Sequence, residues 1–180
     1  MMQYVTLVDH NGTPTGTAEK IRAHHGQGIL HLAFSIFVFN QADELLLQKR
    51  ADGKYHFAGL WSNSCCGHPL PEEAVKDAAQ RRLQEELGFT TQLTQRCTLV
   101  YEAHDQVSGL SEKEFLHVLT GEYSAAPSPA DDEVSDWRWQ SLKSLGQELK
   151  DHPEHFTPWF RILMERIESK VFIRRTAFNE

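Results

Sequence analysis

Four consecutive residues, Cys65-Cys66-Gly67-His68, gather two thiols, a glycine and an imidazole in one polar stretch. The chain then runs straight into a helical pattern. At about 100° per residue, Val75, Arg82 and Glu86 fall on one line of that helix, flanked by Ala78, Ala79 and Leu83. An arginine and a glutamate therefore sit where an ordinary amphipathic helix carries leucines. They are four residues apart and can touch. An ion pair at the edge of a core would explain them, but so would two groups pointing into a site, with small alanines leaving room for a ligand. Elsewhere, His24 and His31 lie seven residues apart, and Glu112 and Glu114 share one face of a strand. That face turns apolar at Leu116 and Val118, so the two carboxylates look into a pocket or begin an exposed edge. Singly, such residues are ordinary features. Together with His68, these imidazoles and carboxylates are the groups that a divalent transition metal binds. Lys49, Arg50 and Lys54 add a cationic cluster just before the cysteine stretch.

The elements that must position these groups fit one domain. The 180 residues suffice for a single sizeable core. A hydrophobic content of 40% and a charged content of 24% are those of a soluble globular protein. A net charge of −7 with no basic block argues against general nucleic-acid binding. No apolar run is long enough to span a membrane, and MMQYVTLVDHNGTP lacks the layout of a signal peptide. Three cysteines, two of them adjacent, do not make a secreted disulfide framework, so a cytoplasmic location is expected.

In chain order, residues 3–8 read as a strand, Asp9-His10-Asn11-Gly12 as a turn, and the following residues through Thr17 as a second extended piece. Residues 18–25 are ambiguous, with room for one helical turn. Residues 30–40 alternate as a strand, with His31, Ala33, Ser35 and Phe37 on one face and Leu32, Phe34, Ile36 and Val38 on the other. Residues 44–50 return as a hairpin. A helix is expected from Pro69 and Pro71, with Glu72 and Glu73 in its first turn and Gly88 just past its end. Residues 90–103 read as one or two strands, and 111–123 and 134–142 as further strands. The remainder is helical in pattern to about residue 175, broken at Asp151-His152-Pro153, with Thr157 and Pro158 opening the last helix. Strands mixed with helices and hairpins make an α/β domain.

The helix and the residues before it resemble the signature of Nudix proteins. Gly67, Glu73, Arg81, Leu83, Glu85, Glu86, Gly88 and Phe89 stand at the signature's spacing. Arg82 departs from it, standing where the family has its first catalytic glutamate. The resemblance implies a Nudix-like mixed β-sheet sandwiched between helices, here one domain over 1–180 with its core at about 30–165. In Nudix hydrolases this helix holds Mg²⁺ ions that activate water on a diphosphate. A cation in place of one ligand weakens hydrolysis and keeps diphosphate binding.

LHLAFS (30–35), WSNSCCGHP (61–69), RRLQEELG (81–88), YEA (101–103), the Glu112/Glu114 pair and FTPWF (156–160) are similar to the type I isopentenyl-diphosphate isomerase family over nearly the whole chain. Carried over motif by motif, the resemblance implies that His24, His31, His68, Glu112 and Glu114 ligate one tightly bound divalent metal, Mn, Zn or Mg. Cys66 is counted with the metal-contacting groups, and Glu86 holds a Mg²⁺ that arrives with the diphosphate. Cys66 rather than Cys65, together with Glu114, takes the catalytic places, with Tyr101 and Trp159 beside them. Lys20, Arg50, Lys54 and Arg82 contact the diphosphate. No flavin is implied. Two acid/base groups, one of them a carboxyl able to hold a proton near neutral pH, suit the shift of an unactivated double bond through a tertiary cation, which an indole face can stabilise.

Two rivals share the expected fold. A Nudix hydrolase of a nucleoside diphosphate-type substrate has no use for the cysteine stretch and conflicts with Arg82. A binding module for diphosphates needs neither Cys66 nor the Glu112/Glu114 pair. The expected partner is a small diphosphate, with neither nucleic acid nor membrane, and the chain is a monomer or homodimer.

Overall fold

The computed structural model describes residues 3–54, 56–106 and 108–167. The sheet is built on β3 (His31–Phe39), whose run of aliphatic and aromatic residues is buried almost throughout. Alternation splits it between two cores. Ala33, Phe37 and Phe39 enter one, and Phe34, Ile36 and Val38 enter the other. Each large side chain so buried contributes about 1.5–3 kcal/mol, and together they leave the strand no freedom to turn over.

Nine strands among the described residues form one mixed sheet around β3. β3 pairs antiparallel with β1 (Tyr4–Val8), β4 (Glu44–Arg50) and β6 (Cys65–Gly67), and parallel with β8 (Ser111–Glu122). β2 (Pro14–Glu19) extends the sheet beyond β1, β5 (Trp61–Ser62) and β9 (Val134–Ser141) pair with β4, and β7 (Thr94–His104) pairs with β8. Four helices flank it: α1 (Lys20–His24), α2 (Val75–Leu87), α3 (Leu142–Asp151) and α4 (Pro158–Ile167). Ala78, Ala79, Leu83 and Leu87 of α2 cover one face. Leu145 of α3 and Trp159, Phe160, Leu163 and Met164 of α4 cover the other. The sheet between helices is the architecture expected from the sequence. Among the described residues, no helix is long and apolar enough to cross a membrane.

Several local readings become definite. The polar cysteine stretch is a strand. Cys65, Cys66 and Gly67 form β6, opposite Ile36, Ser35 and Phe34. The helix after it starts at Val75, later than Pro69 and Pro71 suggest. Glu72 has a left-handed φ of 67°, and the Glu73 carboxylate accepts the Leu70 N–H at 2.8 Å, so these residues close a turn rather than open the helix. The ambiguous stretch resolves as a one-turn α1, because the Glu19 carboxylate accepts from the N–H groups of Ile21 and Arg22. Residues 94–104 form one strand, with a bulge between Gln95 and Cys97. Thr157 stands where an N-cap belongs, its carbonyl accepting the Arg161 N–H at 3.2 Å. The expected helical continuation through 168–175 lies outside the described residues.

Gly88 ends α2 with a left-handed φ of 75° and donates its N–H to the Gln84 carbonyl. A Cβ there would lie 2.5 Å from the Ser128 carbonyl oxygen. Gly88→Ala is expected to lose about 2 kcal/mol or more of stability, from backbone strain and the clash together. Urea unfolding against the parent protein checks this, and an unchanged midpoint would refute it.

Candidate active site

The register of β3 against β8 sets His31 opposite Glu114. Alternation along β8 then puts Glu112 on the same face, two residues away. β6 ends at Gly67, so His68 emerges next to β3. α1 delivers His24 as its last residue. Two of the rings are aimed by backbone: His24 Nδ1 lies 2.7 Å from the Lys20 carbonyl, and His31 Nδ1 lies 2.7 Å from that of Ile29. Each ring therefore turns its Nε2 inward. His31 Nε2 is 3.1 Å from His68 Nε2, and His68 Nε2 is 2.9 Å from Glu114 Oε1.

All five residues offer a ligand atom within 4.8 Å of one another, so the group could hold a metal ion. His24 and His31 are wholly buried, and Glu112 and Glu114 nearly so. His24 Nε2 and Glu112 Oε2 face each other at 3.1 Å, but among the described residues neither has a partner in hydrogen-bonding geometry. Buried polar atoms left in this state are costly unless something else satisfies them. A divalent cation between imidazole nitrogens and carboxylate oxygens does so, and the donor set fits one.

The two carboxylates are driven apart electrically. Burial works against the charge of Glu112, but its contacts with His24 and His56 outweigh this and hold it well below the usual carboxylate range. Burial, reinforced by the charge of Glu112, pushes Glu114 well above that range. Tyr101 donates its hydroxyl to Glu114 Oε2 at 2.6 Å. Burial pushes the Tyr101 hydroxyl well up as well, with the charge of Glu114 adding to it, so it remains a donor.

Cys66 is partly buried, while Cys65 is wholly buried. Burial pushes the Cys66 thiol up to about 11, against the pull of Ser35 and Asn63. Its Sγ donates to Asn63 Oδ1 at 3.1 Å. The Asn63 amide is itself oriented, since its Nδ2 donates to the carbonyls of Ile36 and Cys65. Ser62 Oγ donates to the same Oδ1 at 3.1 Å and accepts the Trp159 indole N–H at 2.9 Å. WSNS thus ties Trp159 to the thiol. The Arg50 guanidinium carbon lies 5.2 Å from the centroid of the Trp159 ring.

A cleft of about 940 Å³ joins these groups to a set of cations. Lys20, Arg50, Lys54 and Arg82 line it, as do Cys66, His68, Glu86, Tyr101, Glu112, Glu114 and Trp159. His24 and His31 are buried and do not line it. Arg82 reaches Glu86 at 2.6 Å, Glu85 at 2.7 Å and Glu133 at 3.1 Å. Lys54 pairs with the same Glu133. Glu86 is buried, its other oxygen accepting from Gln48 Nε2 at 3.0 Å. The odd pair on the helix therefore does face a site, though its residues also bind each other.

Four residues at the site carried no sequence signal that singled them out. His56 sits on the turn after β4, and its Nε2 lies 2.6 Å from Glu112 Oε1. Asn63 and Gln48 are polar residues within strand-like stretches. Glu133 ends a loop that reads as solvated. Only its spacing from the following strand could have drawn attention to it.

A family model described as the NUDIX domain matches residues 29–160. An isopentenyl-diphosphate Delta-isomerase of Halorhodospira halophila is 50% identical over 165 residues, covering 91% of this chain and 94% of that protein. One from Burkholderia multivorans is 48% identical, covering 92% of this chain and 93% of its own length. Among solved structures, DR0079 from Deinococcus radiodurans superposes with a TM-score of 0.75 at 17% identity, covering 91% of this chain and 98% of that one, a likeness of fold.

Removing the Tyr101 hydroxyl leaves a buried oxygen of Glu114 short of its donor. Tyr101→Phe is expected to fold and to lose about 1–3 kcal/mol of stability. Thermal unfolding of the two proteins side by side checks this, and an equal melting temperature would remove the bond from the account.

Proposed function

The chain belongs to the isopentenyl-diphosphate Delta-isomerase family of Nudix-domain proteins, and from that premise we propose that it interconverts isopentenyl and dimethylallyl diphosphate with Cys66 and Glu114 as its acid/base pair. The observation that carries the assignment is that a partly buried thiol and a buried carboxyl line one cleft whose other groups include four cations.

The reaction adds a proton to the terminal alkene carbon and removes one from the carbon two positions away. Between the two steps the substrate passes close to a tertiary cation. Glu114 is the donor. Burial and the neighbouring charge of Glu112 favour its protonated form, as a donor working near neutral pH requires. Cys66, as thiolate, takes the second proton and becomes a thiol. Each forward turnover thus ends with a carboxylate and a thiol, and a proton must return to Glu114 before the next. Burial raises the thiol, so the thiolate is the scarcer form of Cys66. Tyr101 holds Glu114 in place. Trp159 offers an indole face to the cation, an attraction of about 2 kcal/mol in a dry pocket. Water must be kept from the cation while it forms, or the cation is hydrated.

Lys20, Arg50, Lys54 and Arg82 are proposed to take the diphosphate oxygens, with Glu86 holding a Mg²⁺ that enters with them. His24, His31, His68, Glu112 and Glu114 are proposed as ligands of one tightly held divalent ion, Mn, Zn or Mg, with Cys66 at its edge. When bound, that ion fixes the two carboxylates and tunes the proton affinity of Glu114. The shift needs no flavin. A small diphosphate is the partner we propose, in the cytoplasm, with residues 1–180 acting as one isomerase domain in a monomer or homodimer. Arg82 speaks against hydrolysis, because it pairs with Glu85 and Glu86 where a hydrolase would bind metal.

Incubation with isopentenyl diphosphate and Mg²⁺ in D₂O, followed by NMR, is expected to give deuterated dimethylallyl diphosphate without phosphate release. Phosphate release would return the chain to hydrolysis. Under the same conditions Cys66→Ala is expected to lose at least about a hundredfold in rate while keeping its fold. Cys65→Ala is expected to stay close to the parent rate. A loss at Cys65 as large as that at Cys66 would show that the wrong thiol had been assigned.

A further inference from the structure

His56 has no place in the reading above, yet it is buried against the centre of the site. It is 8% exposed, and its Nε2 lies 2.6 Å from Glu112 Oε1. We propose that His56 is a positioning residue: it holds one oxygen of Glu112 so that the other oxygen faces His24, and its main chain holds Arg50 beside that carboxylate. The proposal rests on the metal reading given under Proposed function.

Three observations carry it. The two oxygens of Glu112 are divided between two rings, Oε1 to His56 and Oε2 to His24 at 3.1 Å. Only the His24 side belongs to the five-residue group that could hold an ion. A carboxylate that ligates through one oxygen is free to swing about its last torsion unless the other oxygen is held, and a short N–H···O⁻ bond is a strong way to hold it. A second observation concerns the backbone of His56. Its carbonyl accepts from Arg50 Nη2 at 3.1 Å. The side chain therefore faces the carboxylates while the main chain holds one of the cations that line the cleft. The third observation is packing. The His56 ring stands 5.3 Å from Phe57 and 6.1 Å from Trp159, centroid to centroid, which fixes its plane. Loss of the His56 bond would loosen Glu112 directly and Arg50 through the His56 carbonyl.

The test compares His56→Met, which keeps bulk without a donor, with His56→Gln, whose amide N–H can reach the same oxygen. Each chelator-stripped protein is titrated with Mn²⁺ alone and followed by electron paramagnetic resonance, and the KM for isopentenyl diphosphate is measured after loading. The parent is expected to bind about one Mn²⁺. His56→Met is expected to bind it about tenfold or more weakly and to show a raised KM. His56→Gln is expected to recover most of both. A merely structural role would lower the melting temperature of the stripped protein but leave the Mn²⁺ affinity and the Mn²⁺-induced rise in melting temperature unchanged. Unchanged Mn²⁺ affinity in His56→Met overturns the proposal, as does a folded His56→Gln no better than His56→Met. Should His56→Met not fold, His56→Asn, whose amide stops short of Glu112, takes its place. A parent that binds neither Mn²⁺ nor Zn²⁺ overturns the metal reading and this proposal with it, whereas isomerisation in that same parent keeps the acid/base reading.

Discussion

The parallel ladder between β3 and β8 is the constraint on which the site depends. It sets His31 opposite Glu114 and, by alternation, turns Glu112 the same way. A slip of one residue would send both carboxylates to the other face of the sheet. What prevents the slip lies away from the chemistry. Phe34, Ile36 and Val38 fit under α2, while Ala33, Phe37 and Phe39 fit under α3 and α4. A strand buried on both faces has no alternative register at comparable free energy. The same strand pairs with β6, so Cys66 sits opposite Ser35 on the strand that also carries His31. The thiol and the carboxyl are thus placed by neighbours of one strand, and their relation is as rigid as the sheet.

Such a site burdens the fold. Two carboxylates and three imidazoles lie close together with little water to solvate them. The structure divides the load unevenly. Glu112 keeps its charge against two rings, while Glu114 is pushed toward its protonated form and held by Tyr101. The residual mismatch falls on His24 Nε2 and Glu112 Oε2, which face each other without a satisfactory hydrogen bond. A buried pair in that state is stable only if a further positive centre joins it or the surrounding cores tolerate the loss. The first condition turns a destabilising cluster into a binding site, and the cores on either side of β3 supply the rigidity it needs.

Much of this was legible before the structure. Period-two alternation named the two faces of β3 and the shared face of Glu112 and Glu114, because burial on a sheet leaves that pattern directly in the sequence. The odd face of α2 was visible because charged residues stood in an apolar stripe. The start of α2 was misplaced, since prolines and glutamates favour both a helix opening and a tight turn. The Leu70 and Glu73 contacts that decide between them are not written in local composition. β6 was invisible for a related reason: three residues carry no period, and only pairing with β3 makes them a strand. His56, Gln48 and Glu133 were missed because their roles arise from segments far apart in the chain. Glu112 and His56 are separated by 56 residues, and no local spacing records their contact.

Arg82 shows how one helix can change chemistry without changing fold. A glutamate at that position would add negative charge beside Glu85 and Glu86 and favour a cluster of cations suited to activating water. The arginine instead reaches all three of Glu85, Glu86 and Glu133, so the carboxylates are already partly neutralised. Lys54 pairs with the same Oε2 of Glu133. Glu133 therefore keeps two like charges close together by standing between them as a counter-ion. An anion with more charge and more oxygens than a carboxylate would satisfy the same two cations better than Glu133 does. The helix face that would hold metal for hydrolysis thus carries a cation and, with Lys54, lines the same cleft as Cys66 and Glu114.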